Sequence, residues 1–402
     1  MNIIKNVKAI LLEEIALLDI KHNKLAFTFG CLALSPLIGF LPSLTTLYRL
    51  FMIGICLWML SRSKKFDTTC SFLLLVCGIS ILLASPNPIF KSWFRYGLFV
   101  LLFVIASPLI KDNNSIKFRS TLLQLSLFIS VVVSVVSFVF YFLGINYMVY
   151  YESSEYLGSV GRFGGVTTHS MLLGPVSAIS TIYCTYRALV TKNKIYWLLC
   201  IPSLACTLFS SSRSAFICAI LGVLFILYFN SKNKSIFLKR LLVIALLGSI
   251  SFPLWSDALS GLEQKQQNNI ENGGTFNSRR SKWDNRLNEF YSSPIFGVGF
   301  SACDIKHSED YDSLTGTIET GSSWLAVLSM TGLLGFVPFC IVIYNSFRRV
   351  LQKRKTKVSA SLYTGLLILL SVHMLAEGYI LAGGSVMCYI AWIIISCSQE
   401  LE

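Results

Sequence analysis

Arginine, tryptophan and carboxylate side chains crowd a few short polar stretches of an otherwise apolar chain, so its chemistry is sought there. The densest is NSRRSKWDNRLNEFYSSPIFGVGF at 277–300. Arg279, Trp283 and Arg286 fall at spacings of four and three, which puts them on one face of a helix, with Arg280 beside them. A guanidinium forks onto phosphate oxygens and an indole stacks on a sugar, so this face suits a sugar phosphate. It would equally suit anionic headgroups, as a helix lying on a membrane. FSSSRSAF at 209–216 flanks Arg213 with hydroxyls between two apolar runs. An arginine near membrane depth is costly unless paired or bound to an anion, the plainer reading being a side chain that snorkels to headgroups. GRFGGVTTHS at 161–170 sets Arg162 and His169 at the mouth of another apolar run. Imidazole there can act as a base, donate to phosphate, or merely cap a helix. Glu319 begins ETGSSWLAVLSMTGLLGF, where a carboxylate can take a proton from a sugar hydroxyl or favour a helix start through the macrodipole. His373 and Glu377 lie one turn apart in a further apolar run and read as an intramembrane hydrogen-bonded pair.

The elements that must hold these residues are membrane helices. The chain has 402 residues, 54% of them hydrophobic and 13% charged, against about 25% charged in soluble domains. Its mean hydropathy is +0.65. Lipid-facing backbone must satisfy its own hydrogen bonds, so long apolar runs read as helices, and the short alternating strands of a barrel are missing. The expected fold is an all-α integral membrane protein of about twelve spans, near 25–43, 46–61, 68–84, 94–110, 121–144, 166–188, 195–210, 214–230, 238–255, 323–346, 360–376 and 379–397. Residues 1–24 read as an amphipathic surface helix, with Glu13 and Glu14 among lysines. Spans 1–9 occupy 25–255, a large, partly helical loop follows at 256–322, and 323–402 carry the last three spans and the C-terminus. A loop of that length between spans has work beyond linking.

A formal net charge of +14 suggests nucleic acid, but its distribution argues otherwise. Basic residues concentrate in every second short connection: Arg62/Lys64/Lys65, Lys111/Lys117/Arg119, Arg187/Lys192/Lys194, Lys232/Lys234/Lys239/Arg240 and Arg348/Arg349/Lys353/Arg354/Lys355/Lys357. That is the positive-inside pattern, and it assigns these loops and both termini to the cytoplasm and 256–322 to the opposite side. Of the 12 cysteines only Cys303 falls in the large loop, so no structural disulfide is expected. No Cys/His cluster suggests a metal, and no cofactor fingerprint is present; Gly297-Val298-Gly299 lacks the third glycine and the βαβ setting of a dinucleotide site.

These motifs together resemble the bacterial superfamily of O-antigen ligases and O-antigen or exopolysaccharide polymerases. The resemblance covers most of the chain. It rests on Ser211-Ser212-Arg213-Ser214, on Arg279 and Trp283 running through Pro294 to Gly297-x-Gly299, and on Trp324 through Thr331-Gly332-Leu333-Leu334-Gly335. Arg286 precedes Gly297 by the spacing of the polymerases' arginine–glycine motif, and Arg162 with Gly174 is a near version one residue longer. The ligases keep a histidine eleven residues before the first glycine of the last motif. Here that position is Gly321, with Glu319 two residues earlier, a departure that favours a polymerase.

The resemblance implies an inner-membrane glycosyltransferase with its active site facing the periplasm. Its substrates would be glycans on undecaprenyl pyrophosphate, with membrane lipids and a regulator of chain length as further partners. Arg213 and Arg279 would hold the pyrophosphate, supported by Arg162, Arg280, Arg286 and Trp283. Glu319 or His169 would be the base, and arginines would replace any metal. A ligase passing glycan to lipid A-core is the alternative, and a non-enzymatic flippase of lipid-linked sugars the second. A flippase predicts paired broken helices in two halves, which the sequence does not show.

Overall fold

The computed structural model describes residues 2–21, 23–42, 44–63, 65–147, 163–231, 233–246, 249, 267, 277–306 and 310–401. Regular structure among them is helical, apart from isolated bridges at Phe66–Ile110 and Tyr311–Ile318. In chain order the helices are α1 Asn2–Leu17, α2 Lys24–Leu34, α3 Thr45–Arg62, α4 Thr68–Ala84, α5 Ser92–Ala106, α6 Asn113–Phe142, α7 Ser170–Thr191, α8 Lys194–Phe209, α9 Arg213–Phe229, α10 Asn277–Ser292, α11 Ser323–Lys353, α12 Ala360–Ala376 and α13 Val386–Gln399. This is a multi-pass membrane protein. Segments Pro88–Ala106, Asn113–Phe142 and Ser323–Lys353 are long and apolar enough to cross a bilayer by length and composition; the other apolar helices are shorter.

Local chemistry explains where helices fall short of the expected spans. The first stops at Leu34 because Pro36 enters a 3-10 turn over Ser35–Leu37. The last begins only at Val386, after Gly383-Gly384, where the Ser385 side chain accepts from the Cys388 N–H. Of the expected span 238–255, residues 238–246 and 249 are helical, and 247, 248 and 250–255 lie outside the described residues.

The chain forms two compact units. The first comprises Met1–Leu44, Thr121–Asn268 and Val350–Leu370. In it α7 packs on α8 and α9, and buried hydroxyl pairs join it to α6 and α8: Ser134 donates to Ser177 at 3.1 Å, and Ser180 meets Ser203 at 2.7 Å. Such pairs bind helices together where lipid removes the hydrophobic drive. The amphipathic α1 is clamped rather than merely adsorbed. Its Glu14 is buried and accepts from Arg187 Nε at 2.9 Å and from the Tyr183 and Tyr196 hydroxyls, while Glu13 pairs with Arg187.

The second unit comprises Thr45–Ser120, Asn269–Arg349 and Ser371–Glu402. Here α3, α4 and α13 pack on α5. Phe99, Phe103, Phe300, Phe339 and Trp392 form its aromatic centre. Arg119, fully buried, pairs with Glu400 and donates to the Ile110 carbonyl at 2.6 Å, tying the C-terminus to the start of α6.

Candidate functional site

The second unit gathers charge around the start of α10. Arg279 pairs with Glu377, just past the end of α12, and lies 3.8 Å from Glu319. Lys282, one turn's face away, pairs with the same Glu319. Trp283 donates its indole N–H to the Gly321 carbonyl at 3.2 Å, which seats α10 on the 319–321 segment. The serines that follow bring in Glu377. Ser322 donates to the Met374 carbonyl at 3.1 Å, Ser323 to the Glu377 carbonyl at 2.7 Å, and the Trp324 indole to the Ser371 carbonyl at 3.0 Å. Two cations and two carboxylates thus meet on a rim that is neither buried nor fully open: side-chain exposure is 21% at Arg279, 17% at Lys282, 18% at Glu377 and 53% at Glu319. An arrangement of this kind can take up an anion by exchanging carboxylates for it.

The expected pairing of His373 with Glu377 is corrected. Glu377 turns to Arg279, while His373 is buried with Nδ1 3.4 Å from the Tyr379 hydroxyl. The bond between them is a helical backbone one, from the Glu377 N–H to the His373 carbonyl at 3.0 Å. Glu377 was legible as an ionisable residue at a span end, but its partner, 98 positions earlier in the chain, was not.

Arg286 is also corrected as a ligand contact. It is fully buried and held between Glu289 at 2.8 Å and Asp310 at 3.0 Å. Asn285 also donates to Asp310, and Glu289 accepts from the Asp304 N–H at 2.8 Å. One cation faces two buried carboxylates, so burial raises the Glu289 carboxyl above its usual range despite Arg286. The cluster holds the loop together. Cys303 lies in the same cluster, and burial pushes its thiol up to about 11. Arg286→Ala should therefore destabilise the fold by about 3–5 kcal/mol, because it strands buried carboxylates. The raised Glu289 contributes stability in full below the ordinary glutamate pKa, and loses it as pH rises through the raised value. Glu289→Gln should remove that pH dependence and stay folded. Thermal melts between pH 4 and 8 check both, and an unchanged pH profile in Glu289→Gln would show the carboxyl to be ordinary.

The glycine motifs prove to be a backbone joint. Gly332 has φ +60 and breaks α11, which frees hydrogen-bonding groups on either side. The 294–299 segment satisfies them. Val298 N–H donates to the Ser329 carbonyl at 2.9 Å, Gly299 N–H to Met330 at 3.1 Å, and Leu333 N–H to Pro294 at 2.8 Å. Gly297, φ +74, lies so close that any Cβ would strike the Met330–Thr331 peptide. The spacing from Arg286 to Gly297 thus links the buried ionic cluster to the kink of α11. Gly321, φ +67, is equally constrained, since a Cβ there would sit 2.9 Å from Lys282 Cβ.

The first unit holds the other expected residues. His169 is the N-cap of α7, its Nδ1 accepting from the Met171 N–H at 3.1 Å. A neutral imidazole accepting at Nδ1 carries its proton on Nε2, an assignment from the hydrogen-bond pattern. Ser212 caps α9 at Ala215, which sets Arg213 in the first turn, half-buried. Gly174 in α7 packs on that turn, and a Cβ there would lie 2.8 Å from Ser212 Cβ. Phe163 N–H donates to the Phe209 carbonyl at 3.3 Å, so the glycine segment reaches the same serine turn. Arg162 lies outside the described residues. Arg280, 77% exposed, pairs loosely with Asp284 at 3.9 Å and stands apart from the Arg279 cluster. Among the described residues no group of three His, Cys, Asp or Glu has metal-site geometry.

Residues 198–340 match the family model described as O-Antigen ligase. No curated protein matches the chain. The matched segment runs from within α8 to within α11 and so contains Arg213, Arg279, Lys282, Glu319 and both glycine motifs, while Glu377 lies outside it. Over that segment the chain is similar to the O-antigen ligase family, and the match takes in motifs on which the sequence resemblance rests.

Proposed function

We propose that the protein polymerises lipid-linked oligosaccharide repeat units at the periplasmic face of the bacterial inner membrane. The donor is a growing glycan on undecaprenyl pyrophosphate, and the acceptor is a single lipid-linked repeat. The acceptor hydroxyl oxygen attacks the donor's anomeric carbon. The bond from that carbon to the pyrophosphate oxygen breaks, its electron pair leaves with undecaprenyl pyrophosphate, and the hydroxyl proton passes to a base. The leaving group must be held and neutralised, which preorganised cations do without a metal.

The observation that carries this reading is the Arg279–Lys282–Glu319–Glu377 cluster. A pyrophosphate offers Arg279 a bidentate partner in place of Glu377. Departure of Arg279 from Glu319 leaves a half-exposed carboxylate close to where the reacting sugar would sit, so Glu319 is assigned the base. In the first unit Arg213, in its serine turn, is assigned a phosphate contact of its own, and His169, with its proton on Nε2, the part of a donor rather than a base. Trp283 seats the helix and Arg286 supports it from below.

Gly321 favours polymerase over ligase. Positive φ and the Lys282 Cβ at 2.9 Å both disfavour a side chain at the position where ligases keep their histidine. A strain lacking this protein should show lipopolysaccharide with one repeat unit on a gel. Bare core with stored polymer on the lipid carrier would instead mean a ligase.

A further inference from the structure

The first unit contains a cavity of about 180 Å³ whose chemistry differs from that of the Arg279 cluster. Its walls come from the end of α9, Phe229 and Asn230, and from the link into α12, where Arg354, Lys355, Lys357 and Ser361 line it. No lining residue is acidic. Among the described residues Arg354, Lys355 and Lys357 form no ion pair, and all three are exposed. Arg354 lies over the Phe229 ring at 4.2 Å from its centroid, with Tyr228 at 5.6 Å. A guanidinium stacked by its face keeps its N–H edges for an anion. Arg240 stands next to the site, donating to the Asn230 carbonyl and the Ser231 hydroxyl, both at 3.2 Å. The positive-inside rule needs basic residues somewhere in this connection. It does not require three of them to gather round one cavity, nor one of them to be fixed on an aromatic ring.

We infer that this cavity is a binding site for the phosphodiester headgroup of an anionic glycerophospholipid. The shared chemistry is phosphate, and a free phosphate could offer it too, but the surroundings favour a lipid. Below the cavity Ile217, Ile220, Phe225 and Tyr228 are exposed and lie within about 140° of one another on α9, a track for acyl chains that ends at Tyr228 and Phe229. The connection lies on the side that its charge assigns to the cytoplasm, where basic pockets between helix ends meet anionic headgroups. A headgroup with its own ammonium would set that cation against three others, so phosphatidylglycerol or cardiolipin fits and a zwitterionic lipid does not.

The test uses the purified full chain, with thermal shift and native mass spectrometry as readouts. Phosphatidylglycerol should raise the melting temperature and remain as an adduct, while phosphatidylcholine should do neither. Arg354→Gln/Lys357→Gln should weaken phosphatidylglycerol binding roughly tenfold or more and leave the lipid-free melting temperature unchanged. Arg354→Lys, which keeps the charge, tests the stacked fork and should fall between. Equal stabilisation by both lipids would overturn the proposal. So would inorganic phosphate giving the full shift alone, which would make this a site for a soluble anion. A double variant that binds phosphatidylglycerol as the parent does would overturn it as well.

Discussion

Replacing Arg279 by alanine is expected to abolish long polymer while leaving the protein folded. Arg279 lies on the rim, 21% exposed, so its loss does not strand a buried charge as loss of Arg286 would. Its removal deletes a preorganised donor aimed at the departing pyrophosphate, a change that lowers kcat by about 10²–10³-fold in comparable sites. Arg279→Lys should recover little, since an ammonium lacks the planar fork that matches two phosphate oxygens. Glu377→Gln tests the exchange from the other side. The carboxylate holds Arg279 when no donor is bound, so weakening that pair should lower KM for the lipid-linked donor. A structural role for Glu377 would instead raise KM and lower the melting temperature. Parent-like chain lengths from Arg279→Ala would remove the pyrophosphate role altogether.

The second large effect concerns Glu319. Glutamine there keeps shape and hydrogen bonding but cannot accept a proton, so elongation should fall by roughly two to four orders of magnitude. The donor KM should hold, because Lys282 and Arg279 remain in place. His169 supplies the contrast. Its Nδ1 caps α7, so His169→Ala should cost about 0.5–2 kcal/mol of stability, as other cap losses do. Asparagine is itself a good N-cap, so His169→Asn should restore stability. Full activity in Glu319→Gln, with collapse in the stable His169→Asn variant, would move the base to the histidine.

Much of this fold was legible in the sequence because apolar runs and basic connections follow the membrane's own rules. Helices α3, α4, α8, α9 and α12 begin and end within a residue or two of the expected bounds. The misses have local causes, namely Pro36, Gly383-Gly384 and the cap at Ser385. The helical face of Arg279 and Trp283 was read from spacing alone. Spacing could not separate Arg279 from Arg286, which share that face but differ completely in burial, because burial depends on Asp310 returning from a distant loop segment. Glu377 and Lys282 were missed as members of the site for the same reason. Each gains its meaning from a partner far along the chain, and one sequence carries no signal for such pairs. The glycines of the two motifs were visible as motifs; their physical reason is a backbone-to-backbone joint at a broken helix, between segments about 30 residues apart in the chain.

The most direct measurement gives the purified protein, in bilayer vesicles, one substrate only: a single repeat unit on undecaprenyl pyrophosphate. A ladder of two, three and more repeats on the lipid carrier is expected, with one undecaprenyl pyrophosphate released for each new bond. No elongation from that substrate, with transfer appearing only once lipid A-core is supplied, would contradict it.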